Sequence, residues 1–367
     1  MAWRDTPPFR ADHVGSLLRP PDLLAARERN DPNLREIEDQ AIREVVQLQK
    51  DVGLRTATDG EFRRASWHMD FIYSLDGVSK APGDLVVKFH NEKGDIEFTP
   101  AATQIDGKLG VSETIFGDAF AFLKSCVGGG QLPKLTIPSP SMVHYRGGRA
   151  SIDEAVYPDM EQFWADLVAA YREEVRRLGE LGCTYLQFDD TSLAYLNDPE
   201  QREHVREIGG DAEHQHETYI RHINEAVTDR PEGMAVTTHM CRGNFRSSWV
   251  AEGGYDFVAE ALFNELQVDG FFMEWDDARS GGFEPLRFVP PGKIVVLGLI
   301  TTKRGELEDR EMLLRRMDEA SQYVDVDQLC LSPQCGFSST VEGNVLTREQ
   351  QADKLRLVVD VAQEVWG

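Results

Sequence analysis

Met234-Ala235-Val236-Thr237-Thr238-His239-Met240-Cys241-Arg242-Gly243-Asn244 is the stretch whose reading decides the fold. Met234 to Thr238 reads as a short buried strand, and the chain then delivers a histidine and a cysteine two positions apart. In extended backbone, residues i and i+2 point to the same side, so His239 and Cys241 can reach one point in space. A strand that is apolar along its length and chemically loaded at its end belongs to an architecture with its active site at strand ends. Two donors cannot hold a metal such as zinc, so the other strand ends decide what this one means.

Outward from this strand, short apolar runs alternate with longer amphipathic segments, the pattern of strands and helices in turn. Upstream, residues 13–17 form a weak first strand. A helix over 33–52, opened by an Asp-Pro turn, leads to a second strand over 54–58. Leu135-Thr136-Ile137 is the third, and a helix from Met160 to Leu181 leads to the fourth, Thr184-Tyr185-Leu186-Gln187-Phe188. A helix over 213–229 precedes the quoted strand, the fifth. Downstream, a helix over 257–266 leads to Gly270-Phe271-Phe272-Met273, the sixth; residues 294–300 are the seventh, with little room for a helix before it. A helix over 309–323 leads to the eighth, residues 328–331, and Arg348 to Trp366 closes the chain as a helix.

Eight strands, mostly each followed by a helix, predict an α/β fold of the (β/α)8 or TIM-barrel type. A doubly wound open sheet is the runner-up, but no Gly-x-Gly-x-x-Gly turn follows an early strand. Between the second and third strands, over about 74–130, the alternation breaks. Leu85 to His90, the turn Asn91-Glu92-Lys93-Gly94 and Asp95 to Phe98 read as an inserted β-hairpin, followed by a helix from about Asp118. No internal repeat, linker or low-complexity tract is present, so residues 1–367 are expected to form one catalytic domain with this insertion.

The formal net charge of −24 disfavours polyanions, so neither nucleic acid nor an anionic membrane is an expected partner. No apolar run approaches the roughly 18 residues that a membrane-spanning helix needs. Met1 to Pro8 lacks the apolar centre of a signal peptide, and a cytoplasmic location is expected. The five cysteines are an odd number and suggest no disulfide framework. Cys183 and Cys330, beside strand-like runs, read as small buried apolar residues. Cys241 and Cys335 sit at strand ends among Gly, Asn, Pro and Gln and need another explanation.

The remaining strand ends supply one. Strand one ends in Gly15-Ser16, strand two in Asp59-Gly60-Glu61 and strand four in Asp189-Asp190. Strand six ends in Glu274-Trp275-Asp276-Asp277, and strand eight in Ser332-Pro333-Gln334-Cys335-Gly336. His239, Cys241, Glu274 and Cys335 give one nitrogen, two sulfurs and one oxygen, a set suited to tetrahedral zinc, Zn2+. Zinc with two thiolates is electron-rich and a poor activator of water. It suits a substrate thiol, whose pKa it lowers so that the thiolate is the nucleophile at neutral pH. Glu61 and Asp189 are then partners for an ammonium group, and Ser16 with nearby backbone N–H groups for a carboxylate. His13, His68 and His144 also fall in rim loops, and the sequence does not select among them.

On these residues the chain resembles the cobalamin-independent methionine synthase superfamily, over nearly the full length of its catalytic C-terminal half. The family's His-x-Cys, later Glu and Pro-x-Cys-Gly zinc ligands match His239, Cys241, Glu274 and Cys335. Its Gly-Ser, Gly-Glu-Phe and Asp-acid motifs, which bind the amino acid, match Ser16, Glu61 and Asp189. Two departures concern the other substrate. Pro138-Ser139-Pro140-Ser141-Met142 stands where the full-length enzyme has an Asn-Trp-Ser stretch that helps hold folate. Thr301-Thr302-Lys303 stands where it has a His-Ser-Pro turn, whose histidine is a candidate proton donor.

The resemblance implies a zinc-dependent methyltransferase with homocysteine as its small-molecule thiol, forming methionine from a methyl-tetrahydrofolate or methylcobalamin donor. The alternative is the branch resembling epoxyalkane:coenzyme M transferases, which opens an epoxide with a sulfonated thiol. Arg10, Arg19 or Lys303 facing the metal would favour that branch, since a sulfonate prefers such partners. A non-catalytic zinc or thiol binder is a third reading. The sequence leaves room for a homo-oligomer.

Overall fold

The computed structural model describes residues 4–83, 87–91, 94–99 and 102–367. Its strands are β1 (Thr56–Ala57), β2 (Asp76–Ala81), β3 (Val87–Asn91), β4 (Gly94–Phe98), β5 (Ala102–Gly110) and β6 (Leu132–Pro133). Then follow β7 (Leu135–Pro138), β8 (Tyr185–Asp190), β9 (Ala235–Met240), β10 (Gly270–Glu274), β11 (Ile294–Ile300) and β12 (Leu329–Pro333). Strands β7 to β12 form one parallel sheet in sequential order. β1 pairs in parallel with β6, which runs straight into β7. The N-terminal segment closes the circle: Asp12 N–H donates to Leu331, Leu331 N–H to Arg10, and Leu17 N–H to Gly60. Residues 10–17, β1, β6–β7 and β8 to β12 thus occupy eight parallel positions, an α/β fold of TIM-barrel type.

The first position departs from the expected strand over 13–17. Its single ladder contact is a bridge between Ala11 and Leu331. Beyond it, side chains take the backbone groups: the Lys134 ammonium donates to the His13 carbonyl at 2.7 Å and the Thr58 hydroxyl to Gly15 at 2.6 Å. A ladder partner is therefore replaced by fixed polar side chains, and the segment turns early toward the barrel mouth.

The outer helices follow the apolar spacing of the sequence. Met160–Glu180 is capped by the Asp159 carboxylate, which accepts from Glu161 N–H, and buries Phe163, Leu167, Tyr171, Val175 and Leu178 along one face. Arg348–Trp366 opens with a Thr347/Gln350 capping box. Ahead of β11 stand only two short 3-10 turns, Ala278–Ser280 and Glu284–Phe288. Among the described residues, no helix is long and apolar enough to cross a membrane.

Between β1 and β6, β2 pairs antiparallel with β5, and β3 with β4. Leu85, Val86, Glu92 and Lys93, parts of the expected hairpin and its turn, lie outside the described residues. The β3–β4 pair docks on the loop that follows β9. His90 and Trp249 exchange backbone hydrogen bonds of 2.7 and 2.9 Å, and Phe98 stacks on Phe245 with ring centroids 4.5 Å apart. The segment after the quoted strand thereby carries a roof across the barrel mouth.

Candidate active site

Register explains the first contact. Asp189 on β8 and His239 on β9 are directly paired positions, so their side chains leave the sheet on the same side. The Asp189 Oδ1 to His239 Nδ1 distance is 3.2 Å. Cys241 follows β9 by one residue, Glu274 ends β10, and Cys335 lies two residues past β12. β11 contributes bare backbone: a Cβ on Gly298 would lie 2.6 Å from Gln334 Cα and 2.7 Å from the Met273 carbonyl. That opening lets the turn carrying Cys335 approach the end of β10.

The metal-binding atoms of His239, Cys241, Glu274 and Cys335 all lie within 4.8 Å of one another, and all four residues are buried. The two sulfurs are 3.4 Å apart. Glu274 accepts from Arg242 N–H at 3.0 Å and lies 3.5 Å from an Arg279 guanidinium nitrogen. The Gly243 N–H donates to Cys241 Sγ at 3.3 Å. With Nδ1 held by Asp189, His239 presents Nε2, which is buried and without a partner. A carboxylate on one ring nitrogen that leaves the other facing inward is the usual support of a metal-binding imidazole.

Electrostatics make the same point. Burial opposes ionisation of Cys335, yet the Cys241 hydrogen bond and the His239 charge hold its thiol well below the ordinary value. Cys241 is driven well above it by its hydrogen bond to Cys335 and by burial. Glu274 is raised by burial, with Lys303 pulling the other way. For His239, burial disfavours the charge, but Cys335 and Asp189 outweigh it and raise the pKa to about 10. Each desolvated ion costs several kcal/mol unless matched. Two thiols and a carboxylate can ionise together here only around a cation. One nitrogen, two sulfurs and one oxygen, with the nitrogen unengaged, fit a zinc ion.

His239, Cys241 and Cys335 form one end of a cavity of about 340 Å³ that also exposes Ser16, Glu61 and Asp189. Glu61 is reached by a strained turn. Gly60 has φ +66° and Glu61 itself φ +62°, a conformation that costs a non-glycine residue about 1–2 kcal/mol. Its Oε1 accepts from Thr136 at 2.9 Å, and Oε2 is buried without a partner. Burial raises Glu61 to about 7, with the Asp189 charge adding to the rise and Arg64 opposing it. Ser16 Oγ accepts from Ser338 N–H at 3.3 Å, leaving its own hydrogen to donate. A Cβ on Gly336 would sit 1.9 Å from that oxygen, so Ser16 packs where only glycine fits. The sequence places Asp189 with the substrate alone; the structure adds its contact with His239.

Of the three histidines expected in rim loops, His13 and His144 are not among the described residues that line the cavity, and both are lowered to about 4. Burial is the main cause, joined by Lys134 for His13 and by His222 for His144. His68 lines the cavity. Asp190, next to Asp189 but on the opposite face, is structural. It accepts from Ser139, Ser141 at 2.5 Å, Ser192 at 2.7 Å and Leu193 N–H at 2.8 Å. Sequence reasoning missed Trp67, Arg146, Tyr195, Asn244 and Phe245, all of which line the cavity. Asn244 and Phe245 at least lay within or beside the stretch that names the metal-binding pair. Arg146 carried no signal beyond following the third strand.

The model of the cobalamin-independent synthase catalytic domain matches residues 147–364. Uncharacterized proteins YxjH and YxjG of Bacillus subtilis (strain 168) are 48% and 44% identical to this chain. Those matches cover 98% and 99% of this chain, and 95% and 96% of the relatives. A solved structure from Listeria monocytogenes superimposes with a TM-score of 0.77 at 39% identity, covering 99% of both chains. A B12-independent methionine synthase from Shewanella sp. W3-18-1, solved with selenomethionine, gives 0.71 over 97% of both chains; at 19% identity this likeness concerns the fold.

Proposed function

The chain belongs to the cobalamin-independent synthase family, a methyltransferase family, and from that premise we propose that it methylates homocysteine to methionine. The observation that carries this reading is one cavity exposing His239, Cys241 and Cys335 beside Glu61 and Asp189. His239, Cys241, Glu274 and Cys335 would hold zinc. When bound, zinc supplies the charge that keeps the substrate thiol ionised at neutral pH.

The chain's own residues do the rest. Glu61 and Asp189 hold the ammonium group, and the Ser16 hydroxyl donates to the carboxylate. This fixes the sulfur at the metal end, so that attack on a methyl carbon becomes nearly intramolecular. A sulfur–carbon bond forms, the carbon–donor bond breaks, and the donor leaves with the electron pair; a tetrahydrofolate nitrogen then takes up a proton. The donor is a methyl-tetrahydrofolate or methylcobalamin. Methionine formation with each, assayed on the zinc-loaded protein, separates them. Cys241→Ser is expected to lower zinc affinity by more than about 100-fold, above the effect of losing an outer hydrogen-bond partner. A folded Cys241→Ser protein with full zinc content and activity refutes the assignment.

The epoxide reading loses two of its three named cations. Arg10 lies at the opposite end of the barrel, donating to Leu329 at 2.6 Å and stacked 4.9 Å from Trp366. Arg19 donates to the carbonyls of Ser338, Thr340, Glu61 and Arg64. Lys303 is the exception: it does not line the cavity, but it is buried beside the metal-binding cluster, its Nζ has no hydrogen-bond partner, and its charge pulls the Glu274 and Cys335 pKa values down. Turnover of an epoxide with 2-mercaptoethanesulfonate, and none with homocysteine, would restore that reading.

A further inference from the structure

The turn after β11 is fastened to the metal-binding cluster and ends in a cation. Thr302 N–H donates to Gln334 Oε1 at 2.7 Å. The Thr302 hydroxyl lies 2.9 Å from that same oxygen and 3.1 Å from the Gly336 carbonyl. Gln334 and Gly336 flank Cys335, so the turn is tied to both neighbours of that ligand. Asn344 Nδ2 donates to the Thr302 carbonyl at 2.9 Å, and Lys303 N–H to the Thr301 hydroxyl at 3.2 Å. The Lys303 side chain therefore leaves a fixed backbone. It is 7% exposed, and its Nζ, fully enclosed, has no hydrogen-bond partner among the described residues.

An enclosed ammonium without an acceptor is costly unless charge of the opposite sign answers it. The other charged groups nearby are already engaged. Arg279 answers Asp276 at 2.9 Å and Asp277, and lies 3.5 Å from Glu274. The Arg242 guanidinium, also enclosed, lies 4.2 Å from the centre of the Tyr255 ring. Glu308 pairs with Lys354 at 3.0 Å. Asp277, raised by burial, is acted on by Arg279 more than by Lys303. What remains for Lys303 is the cluster. The Cys335 hydrogen bond and burial raise Cys241, and burial raises Glu274; the Lys303 charge opposes both rises. It also favours the Cys335 thiolate, which burial opposes.

We propose that Lys303 is a positioning residue for the thiol step: its enclosed ammonium offsets the negative charge that three anionic side chains and an incoming thiolate gather around one dication. A dication answers two of the three charges of Cys241, Glu274 and Cys335, so one is in excess before any substrate arrives. A thiolate enlarges that excess among buried groups, where a fixed cation nearby lowers the cost most. Lys303 does not line the cavity, so it acts through the cluster and does not touch the substrate. This rests on the reading that the metal end takes the thiol. It leaves the ammonium of that thiol to Glu61 and Asp189.

The test uses the full-length protein saturated with cobalt, in which a bound thiolate is read as added sulfur-to-metal absorption. Lys303→Met removes the charge and keeps most of the side-chain length; Lys303→Gln replaces it if the methionine protein does not load metal. Lys303→Arg keeps the charge. Homocysteine, 2-mercaptoethanol and 2-mercaptoethanesulfonate are titrated against each protein across a range of pH. In the uncharged variants thiolate binding at neutral pH is expected to weaken about tenfold or more. The pH at which the absorption appears should rise by about one unit or more, the usual effect of losing one nearby opposite charge. Lys303→Arg should restore both, and the three thiols should respond alike. An unchanged pH midpoint in the uncharged variant overturns the proposal. A shift that Lys303→Arg does not reverse also overturns it, because packing is then the cause. So does a loss confined to 2-mercaptoethanesulfonate, which would give Lys303 to the tail of the thiol. Absence of any thiol absorption in the unsubstituted protein refutes the parent reading and this one with it.

Discussion

The metal end of the cavity and its outer end are built by different means. At the metal end the four metal-binding side chains and Asp189 sit on, or within two residues of, a barrel strand. Hydrogen-bond register therefore fixes the distances, as the paired positions Asp189 and His239 demonstrate. At the outer end Trp67, Arg146, Phe89, Phe98 and Phe245 come from loops and from the strands between β1 and β6. Phe89, Phe98 and Phe245 meet at one docking contact, the His90–Trp249 backbone pair and the rings beside it, while Trp67 is tied by its backbone N–H to the Ser339 carbonyl. A rigid rim suits a metal, whose ligands must converge closely. A roof on long connections can vary without disturbing that rim.

Asp189→Asn tests the rigid end and carries the largest effect of the three substitutions considered below. The amide still accepts from His239 Nδ1 but no longer brings a charge to it. Outer partners of metal-binding histidines are worth about 10–100-fold in metal affinity or activity, and a zinc loss in that range is expected by competition with a chelator. Homocysteine binding should weaken as well, because the same residue loses its charge toward the ammonium. A variant with unaltered zinc affinity would break the link between register and metal, leaving Asp189 as a substrate residue alone.

The division also marks what was legible in the sequence. His239, Cys241, Glu274 and Cys335 could be read because strand period and strand-end position place them before any contact is known. The Asp189–His239 contact could not, because it requires the register between β8 and β9. Arg146 and Trp67 had no periodicity to mark them; they meet through docking of remote segments. The first barrel position was half-visible, since its backbone is held by Lys134 and Thr58 side chains in place of a ladder.

Glu61→Gln comes next in size, about tenfold on homocysteine binding from loss of one charged partner. Its signature is in the pH dependence. Glu61 is raised from 4.5 to about 7, chiefly by burial, so below that pH the folded protein carries a proton that an ammonium ligand must displace. Homocysteine affinity should rise with pH, by up to about tenfold per unit below 7, and level off above it. The unfolded chain loses this proton first. Glu61 therefore withdraws stability progressively as pH rises from 4.5 to about 7, and the cost is absent below that window. In Glu61→Gln both dependences should flatten, as measured by calorimetric titration and by denaturant unfolding across the same pH range. If the wild-type pH profile survives in the variant, the proton belongs to another group.

Phe98→Leu probes the outer end and should have the smallest effect. Phe98 is half-buried, on a strand away from the barrel wall, and its ring stacks on Phe245 while lining the cavity. Leucine keeps most of the apolar volume but removes the stacked face, a loss of about 0.5–1.5 kcal/mol, or roughly two- to tenfold. If the two ends are independent, the whole of that loss appears in the KM for the methyl donor. Zinc content and homocysteine affinity should then match the unsubstituted protein. Equal losses at both ends would mean that the β3–β4 pair also holds the loop after β9, and with it Cys241, in place. The hydrogen bonds between His90 and Trp249 make that outcome physically concrete, since Trp249 lies only eight residues beyond Cys241. The roof would then be part of the metal site, and donor choice could not change without cost to the thiol chemistry.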